Sequence, residues 1–198
     1  MRILLIGATG TIGQAVATAL GKRHDLVLAS RHKAHEQVDI ADAASLRALF
    51  DRIGRVDAVV SAAGSAAWKP FAELSDADFA FSFANKLMGQ INVVRIAGEF
   101  VNDGGSITLT SGILAQNPMP NSAAVSTVNA GLEGFVRAAA LESRGRQRIN
   151  VVSPPWVSET LAAMGQDPAH GLPAADVARS YVDSVEGSQT GQVIVPRG

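Results

Sequence analysis

The first thirteen residues, MRILLIGATGTIG, constrain the fold more than any other part of the chain. The apolar run at residues 3–6 is too short for a helix and ends at a glycine, which indicates a strand buried on both faces of a sheet. A helical pattern of apolar residues begins directly afterwards, at Thr11. A strand, a glycine-rich turn and a helix in this order place the free N–H groups of a helix N-terminus where they can bind a phosphate.

The three glycines of this turn follow the spacing GxxGxxG. Such glycines permit a tight turn, a close approach of a ligand to the backbone, and close packing of the helix on the strand. We therefore predict a nucleotide-phosphate site, and the alternative is a glycine-rich turn that binds no ligand. The predicted contact residues are Gly7, Thr9, Gly10, Thr11, Ile12 and Gly13.

Composition limits the remaining possibilities. A chain of 198 residues with 47% hydrophobic residues is long enough for one core, so we expect a single domain over residues 1–198. With 17 basic and 18 acidic residues, it shows no charge stripe for nucleic acid or an anionic membrane, and Arg144, Arg146 and Arg148 are interpreted as a solvated helix end. Cysteine is absent, no metal site is predicted, and no apolar run is long enough to span a membrane. We expect a cytoplasmic protein.

Apolar periodicity predicts strands and helices in alternation. The predicted strands cover residues 3–6, 25–29, 38–40, 56–62, 106–111, 149–152 and 192–195. The predicted helices cover residues 11–20, 43–53, about 75–101, 122–143 and 174–185, and a loop covers residues 157–173. This order predicts an α/β fold: a single-domain, Rossmann-like, doubly wound parallel sheet of about seven strands with helices on both faces.

The end of the second predicted strand bears on the choice of cofactor. An acid that would bind two ribose hydroxyls is expected there when the cofactor is NAD, but the chain has Ser30 and Arg31. An arginine and a small hydroxyl residue suit a 2′-phosphate, so we predict NADP(H) rather than NAD(H). The alternative is a solvated loop.

Several landmarks in order resemble the short-chain dehydrogenase/reductase family over nearly the whole chain. They are the phosphate turn at residues 7–13, Asp39 after the third strand, Ser61-Ala62-Ala63-Gly64 after the fourth, Asn85 in the long helix, Ser111 after the fifth strand, and the segments 131–135, 149–154 and 191–194. The resemblance implies a nicotinamide cofactor across the carboxyl ends of the strands and hydride exchange with a small carbonyl or alcohol. It also implies a homodimer or homotetramer paired through the two long helices. Further cofactor contacts implied by it are Asp39, Ala62, Ala63, Gly64, Asn129, Pro154 and Val157.

The chain departs from the family at the residues that move the proton. Ser111 and Asn85 match the family's carbonyl-polarising serine and the asparagine that supports a relay water. Val125 stands where the resemblance expects a tyrosine, and Asn129 where it expects a lysine. Valine cannot donate a proton, and asparagine can donate a hydrogen bond but carries no charge.

Lys86 is the best substitute proton donor in the sequence, with an ordered water as the other source. A lysine near a desolvated cofactor can have its pKa lowered, whereas a lysine extending to the surface is the alternative. Adjacent helix positions differ by about 100°, so Asn85 and Lys86 are expected to face different ways. Tyr181 is expected to pack in the core and His170 to lie in a solvated loop, while Trp156 is either a wall of the substrate pocket or a packed loop aromatic.

Two functions follow from these observations. The first is an NADP(H)-dependent oxidoreductase in which Ser111 polarises a carbonyl and Lys86 or water supplies the proton. The second is a catalytically inactive NADP(H)-binding sensor or regulatory protein. The intact cofactor landmarks and Ser111 favour the first, and Val125 and Asn129 favour the second.

Overall fold

A seven-stranded parallel sheet forms the centre of the computed structural model, which describes residues 1–198. Its strand order is β3-β2-β1-β4-β5-β6-β7, so the order reverses between β1 and β4. The strands are β1 (Arg2–Ile6), β2 (Asp25–Ser30), β3 (Glu36–Gln37), β4 (Val56–Ser61), β5 (Val101–Thr110), β6 (Arg148–Val152) and β7 (Val193–Ile194). The predicted Rossmann-like sheet is confirmed.

Helices cover both faces of the sheet. They are α1 (Thr11–Leu20), α2 (Ala43–Ile53), α3 (Asp76–Ser82), α4 (Gly89–Ala97), α5 (Ala123–Glu142), α6 (Ser158–Ala163) and α7 (Ala174–Glu186). Alternate residues of β1 point to opposite faces, because side chains alternate along a strand. Ile3 and Leu5 pack with residues of α1 and α7, whereas Leu4 and Ile6 belong to the core formed with α2, α4 and α5.

The long helix predicted for residues 75–101 is in fact three segments. A capping box between Ser75 and Asp78 begins α3, a π-helical turn (Phe83–Met88) follows, and α4 ends at Ala97. The predicted C-terminus was wrong because Val101 pairs with Val56 and begins β5. A π-helical turn inserts one residue into a helix and often lies at a functional site. This one contains both Asn85 and Lys86.

Other boundaries also differ from the prediction. The third strand comprises Glu36–Gln37 instead of residues 38–40, because only Glu36 and Gln37 pair with β2, while Val38 and Ile40 pack in the core beside α2. The region predicted as a loop contains helix α6. Arg148 does not share a solvated helix end with Arg144, since it lies in β6 and donates to the carbonyl oxygens of Ser184 and Val185 at 2.7 and 2.8 Å. No helix has both the length and the apolar character needed to cross a membrane.

The single tyrosine packs in the core, as predicted. Tyr181 is fully buried, and its hydroxyl lies 2.7 Å from Oγ1 of Thr110. Burial raises the pKa of Tyr181 above its ordinary value, so the phenol stays neutral. Thr110 also donates to the carbonyl of Ser61, which ties the ends of β4 and β5 to α7.

Candidate functional site

The turn between β1 and α1 requires glycine at two positions. Gly7 has φ +86°, and a Cβ there would lie 2.7 Å from the carbonyl carbon and oxygen of Ala62. A Cβ at Gly13 would lie only 2.0 Å from the carbonyl oxygen of Gly7. The backbone N–H groups of Gly7 and Ala8 donate to the carbonyl of Ala29. Helix α1 therefore packs directly on the turn that joins the ends of β1, β2 and β4.

The N-terminus of α1 has the properties of an anion site. Gly10 is its N-cap residue and provides no side-chain hydrogen bond, and no acidic residue lies in the first turn. The first N–H groups of a helix have no acceptor within the helix, and the helix dipole adds partial positive charge. Gly10 lines an open cleft of about 440 Å³, so helix α1 begins at the edge of this cleft.

This cleft brings together ten of the predicted cofactor and catalytic residues. They are Gly7, Thr9, Gly10, Ser30, Arg31, Asp39, Ala62, Ala63, Gly64 and Asn85. Arg31 and Lys33 line it beyond the end of β2, and neither forms a salt bridge. Two unpaired cations at this end favour a phosphate over an uncharged ribose.

Two polar side chains hold the walls of the cleft. Asp39 accepts a hydrogen bond from the N–H of Ala41 at 3.0 Å, and its own N–H donates to Oγ of Ser45 at 3.0 Å. Asn85 accepts from the N–H of Ser65 at 3.1 Å, which fixes the segment after β4 against the π-helical turn.

A second, smaller cavity adjoins the cleft. It has a volume of about 240 Å³ and contains the predicted residues Ile12, Lys86, Ser111, Asn129, Pro154 and Val157. Gly64 of the cleft lies against the Lys86 side chain, since a Cβ at Gly64 would be 3.0 Å from Cγ of Lys86. We call this second space the inner cavity.

Lys86 enters the inner cavity while its neighbour Asn85 lines the cleft, so the expectation that they face different ways is confirmed. Nζ of Lys86 donates to the carbonyl oxygen of Ser111 at 3.2 Å. Burial lowers the pKa of Lys86 to about 8, because a low-dielectric surrounding disfavours the ammonium form.

Ser111 is engaged with a residue that sequence reasoning missed. Its hydroxyl donates to Oε1 of Glu133 at 3.1 Å, and the second oxygen of this buried carboxylate accepts from the side chain of Gln116. Glu133 was overlooked because a glutamate in an amphipathic helix is typical of a solvated face. Its position four residues after Asn129 was the available signal, because residues i and i+4 share a helix face.

Helix α5 supplies the other polar group of the inner cavity. Asn129 donates through Nδ2 to the carbonyl of Gly112 at 3.3 Å, whereas its Oδ1 is buried without a hydrogen-bond partner. Val125, one turn earlier, also lines the cavity. Val125 and Asn129, where the sequence resemblance expects a tyrosine and a lysine, thus line the same cavity as Lys86.

Two tryptophans form an apolar wall of the inner cavity. Trp156 follows Pro155, and its ring packs edge-to-face against Trp68 with centroids 5.8 Å apart. This position agrees with the interpretation of Trp156 as a pocket wall rather than as a packed loop aromatic. Trp68 was missed because it lies in an irregular segment without apolar periodicity.

Two predicted contact residues line neither the cleft nor the inner cavity. Thr11 lies in an outer groove beside Gln14 and Lys22. Gly13 is buried against Gly7, so its structural role is the close packing of α1. His170 is exposed within the segment of residues 157–173, as the sequence predicted.

The strand-order reversal between β1 and β4, the glycine turn and the cleft at the carboxyl ends of the strands define a nucleotide-binding α/β class. A family model described as enoyl-(acyl carrier protein) reductase matches residues 7–195. A tetrahydroxynaphthalene reductase of Pestalotiopsis fici is 31% identical over 177 residues, which cover 76% of this chain and 64% of that protein. The chain therefore spans less than two thirds of this relative's length.

Solved structures give the same assignment. The crystal structure of the protein lin1944 from Listeria innocua has a TM-score of 0.94 and 39% identity, covering 98% of each chain. A small-chain dehydrogenase in complex with NADPH has a TM-score of 0.86 and 25% identity, covering 98% of this chain and 95% of that one. The protein belongs to the short-chain dehydrogenase/reductase family.

Proposed function

We propose that the protein is an NADP(H)-dependent oxidoreductase that interconverts a small carbonyl compound and its alcohol by an atypical mechanism. The observation that carries the proposal is the junction of two spaces at Gly64. The cleft is lined by Gly10, the N-cap residue of α1, and the adjoining inner cavity contains a lysine whose pKa is lowered to about 8. The first space suits a dinucleotide and the second suits a proton transfer.

The residues present fit NADP(H). The N-terminus of α1 would hold the pyrophosphate, and Arg31 and Lys33 would hold the 2′-phosphate, joined by Ser30 once its hydroxyl turns away from the carbonyl of His32. The unpartnered Oδ1 of Asn129 is a buried acceptor that a ribose hydroxyl would satisfy. The relative solved with NADPH supports this cofactor for a chain of the same fold.

When bound, NADPH supplies a hydride, and the protein must supply a proton. Lys86 is charged at neutral pH, and its ammonium group has three N–H donors. One of them donates to the carbonyl oxygen of Ser111, so another can donate to a substrate oxygen in the inner cavity. Loss of a positioned acid costs on the order of 10²–10⁴-fold in rate, which is the loss that Lys86 would offset for the absent tyrosine.

Ser111 would polarise the substrate carbonyl only after its hydroxyl turns away from Glu133. Its one proton is donated to a buried carboxylate, and a hydroxyl has no second proton to offer. Gln116 continues to satisfy Glu133 during that rotation. Asn85 would support a water in the cleft, which its half-buried side chain lines.

A second candidate function is an NADP(H)-binding sensor or regulatory protein without turnover. It is favoured by Val125 and Asn129 in the inner cavity, together with the existing bond from Ser111 to Glu133. In this case the cleft binds the cofactor, but the inner cavity transfers no hydride.

Steady-state oxidation of NADPH separates the two functions. The absorbance of NADPH is followed with a panel of small ketones, aldehydes and quinones for the native protein, Ser111→Ala and Lys86→Ala. We expect turnover that falls about tenfold or more in each variant. Ser126→Ala is the matched control, since this serine bonds only Ser122 and should retain activity. Saturable NADPH binding without turnover for any compound would support the sensor.

We also propose a cytoplasmic homodimer or homotetramer paired through the α3–α4 region and α5. Exposed apolar side chains on these helices, including Phe81, Met88 and Leu141, support the proposal because burial between copies would remove them from water. Nucleic acid and membrane surfaces are not expected partners, in view of the balanced charge. A monomeric mass in light scattering would contradict the assembly.

A further inference from the structure

A further space, which we call the outer pocket, shares two lining tryptophans with the inner cavity. Trp68 and Trp156 line both. The outer pocket has a volume of about 340 Å³, and its remaining walls come from the segment after β5 and from the lid around α6, chiefly Met119, Leu161 and Met164. The two spaces are therefore adjacent and meet at this aromatic pair.

The inner cavity alone has little room for a substrate. Its volume of about 240 Å³ lies below the roughly 300–1,000 Å³ typical of ligand sites. In the proposed function it must also receive the nicotinamide end of the cofactor beside Lys86 and Asn129. A substrate that extends beyond its carbonyl group needs additional space. The outer pocket can provide this space because it adjoins the inner cavity at Trp68 and Trp156.

The wall chemistry of the outer pocket favours an uncharged ring. Met119, Met164 and Trp68 are large apolar side chains that remain exposed there. No carboxylate, lysine or arginine lines the pocket, and His170 is its one titratable residue. Thioether sulfurs and indole rings pack well against aromatic groups, whereas a charged group would lose hydration without gaining a carboxylate, lysine or arginine as its partner.

We propose that the outer pocket binds an uncharged aromatic group of the substrate while the substrate carbonyl lies in the inner cavity. The substrate class is then an aryl ketone or aryl aldehyde, and Trp68 and Trp156 form the wall against which its ring packs. The proposal deepens the proposed function and rests on it for the position of the carbonyl.

The protein contains two tryptophans, and both line the inner cavity and the outer pocket, so intrinsic tryptophan fluorescence reports on these two adjoining spaces. Acetophenone and butanone are titrated into the free protein and into protein saturated with NADP⁺. We expect acetophenone to shift the emission saturably and to bind on the order of tenfold more tightly than butanone, because only its ring reaches the outer pocket. The single-tryptophan variants Trp68→Phe and Trp156→Phe should each retain a saturable shift.

Two variants of one exposed residue test the chemistry of the pocket. Met164→Glu introduces a charge and should lower acetophenone affinity by about tenfold or more without affecting butanone. Met164→Leu keeps the wall apolar and should bind both ketones as the native protein does. Far-ultraviolet circular dichroism checks that both variants fold. Equal affinity for the two ketones, or equal effects of the two substitutions, would overturn the proposal.

Calorimetric titration with NADP⁺ in the same samples distinguishes the two proposals. Acetophenone binding in protein that does not bind NADP⁺ would support the outer pocket and contradict the proposed function. NADP⁺ binding without any acetophenone response would leave the oxidoreductase proposal standing and overturn the outer-pocket proposal.

Discussion

Substitution of Gly13 by alanine tests whether the glycine turn and α1 form one packed unit. The added Cβ would lie 2.0 Å from the carbonyl oxygen of Gly7, where ordinary contacts begin near 3.4 Å. Helix α1 must therefore move by about 1 Å or more, and overpacking of this kind costs roughly 1–3 kcal/mol. Helix propensity opposes the loss, because alanine is favoured over glycine inside a helix by about 1 kcal/mol.

Gly134→Ala provides the matched control. Gly134 also lies inside a helix, but a Cβ there would meet no atom within 4 Å. At this position the substitution raises the helix propensity without creating a steric clash, so Gly134→Ala should be more stable than the native protein by about 0.5–1 kcal/mol. The difference between the two variants isolates the contact with Gly7.

Thermal and urea unfolding measure both variants. For a protein of this size, 1 kcal/mol changes Tm by about 2–4 °C, so Gly13→Ala should unfold several degrees below Gly134→Ala. Displacement of the helix N-terminus should also weaken NADPH binding in Gly13→Ala alone. Equal stability of the two variants, or a more stable Gly13→Ala, would refute the packing argument.

Three further predictions concern the site. Reductase activity should fall as pH rises through about 8, because the acid form of Lys86 is then lost, and Lys86→Arg should remove this limb of the pH profile. Arg31→Ala or Lys33→Ala should weaken NADPH binding by about 1.5–3 kcal/mol while calorimetry shows unchanged NADH binding. Tyr181→Phe should lower unfolding stability by about 0.5–1.5 kcal/mol through the lost bond to Thr110, without reducing turnover; a large loss of activity would make the phenol a catalytic group.

Local signals made most of the fold predictable. The apolar run at residues 3–6 and the glycines after it define β1 and the turn, because a buried strand and a close helix contact each leave a residue pattern. The end of the long helix was less predictable, since Phe100 and Val101 continue the helical pattern while pairing with Val56 makes Val101 a strand residue. Tertiary contacts override local periodicity at such positions.

The candidate site was predictable where its residues follow strand ends. Ser30 and Ala62 lie at the same edge of the sheet because parallel strands end together there. Contacts between distant segments were not predictable, and the bond from Ser111 to Glu133 is the main example. Trp68 and Trp156 pack together because of the conformations of two irregular segments. Irregular segments show no sequence periodicity from which such a contact could be predicted.

Transfer of deuterium from NADPH that carries deuterium at both C4 positions tests the central claim most directly. The native protein is mixed in single turnover with labelled NADPH and either acetophenone or a small aldehyde, and the product is analysed by mass spectrometry. The account predicts an alcohol that contains one deuterium at the former carbonyl carbon, with less product from Lys86→Ala. Bound NADPH that retains all its label with every carbonyl compound would contradict an oxidoreductase and favour the sensor.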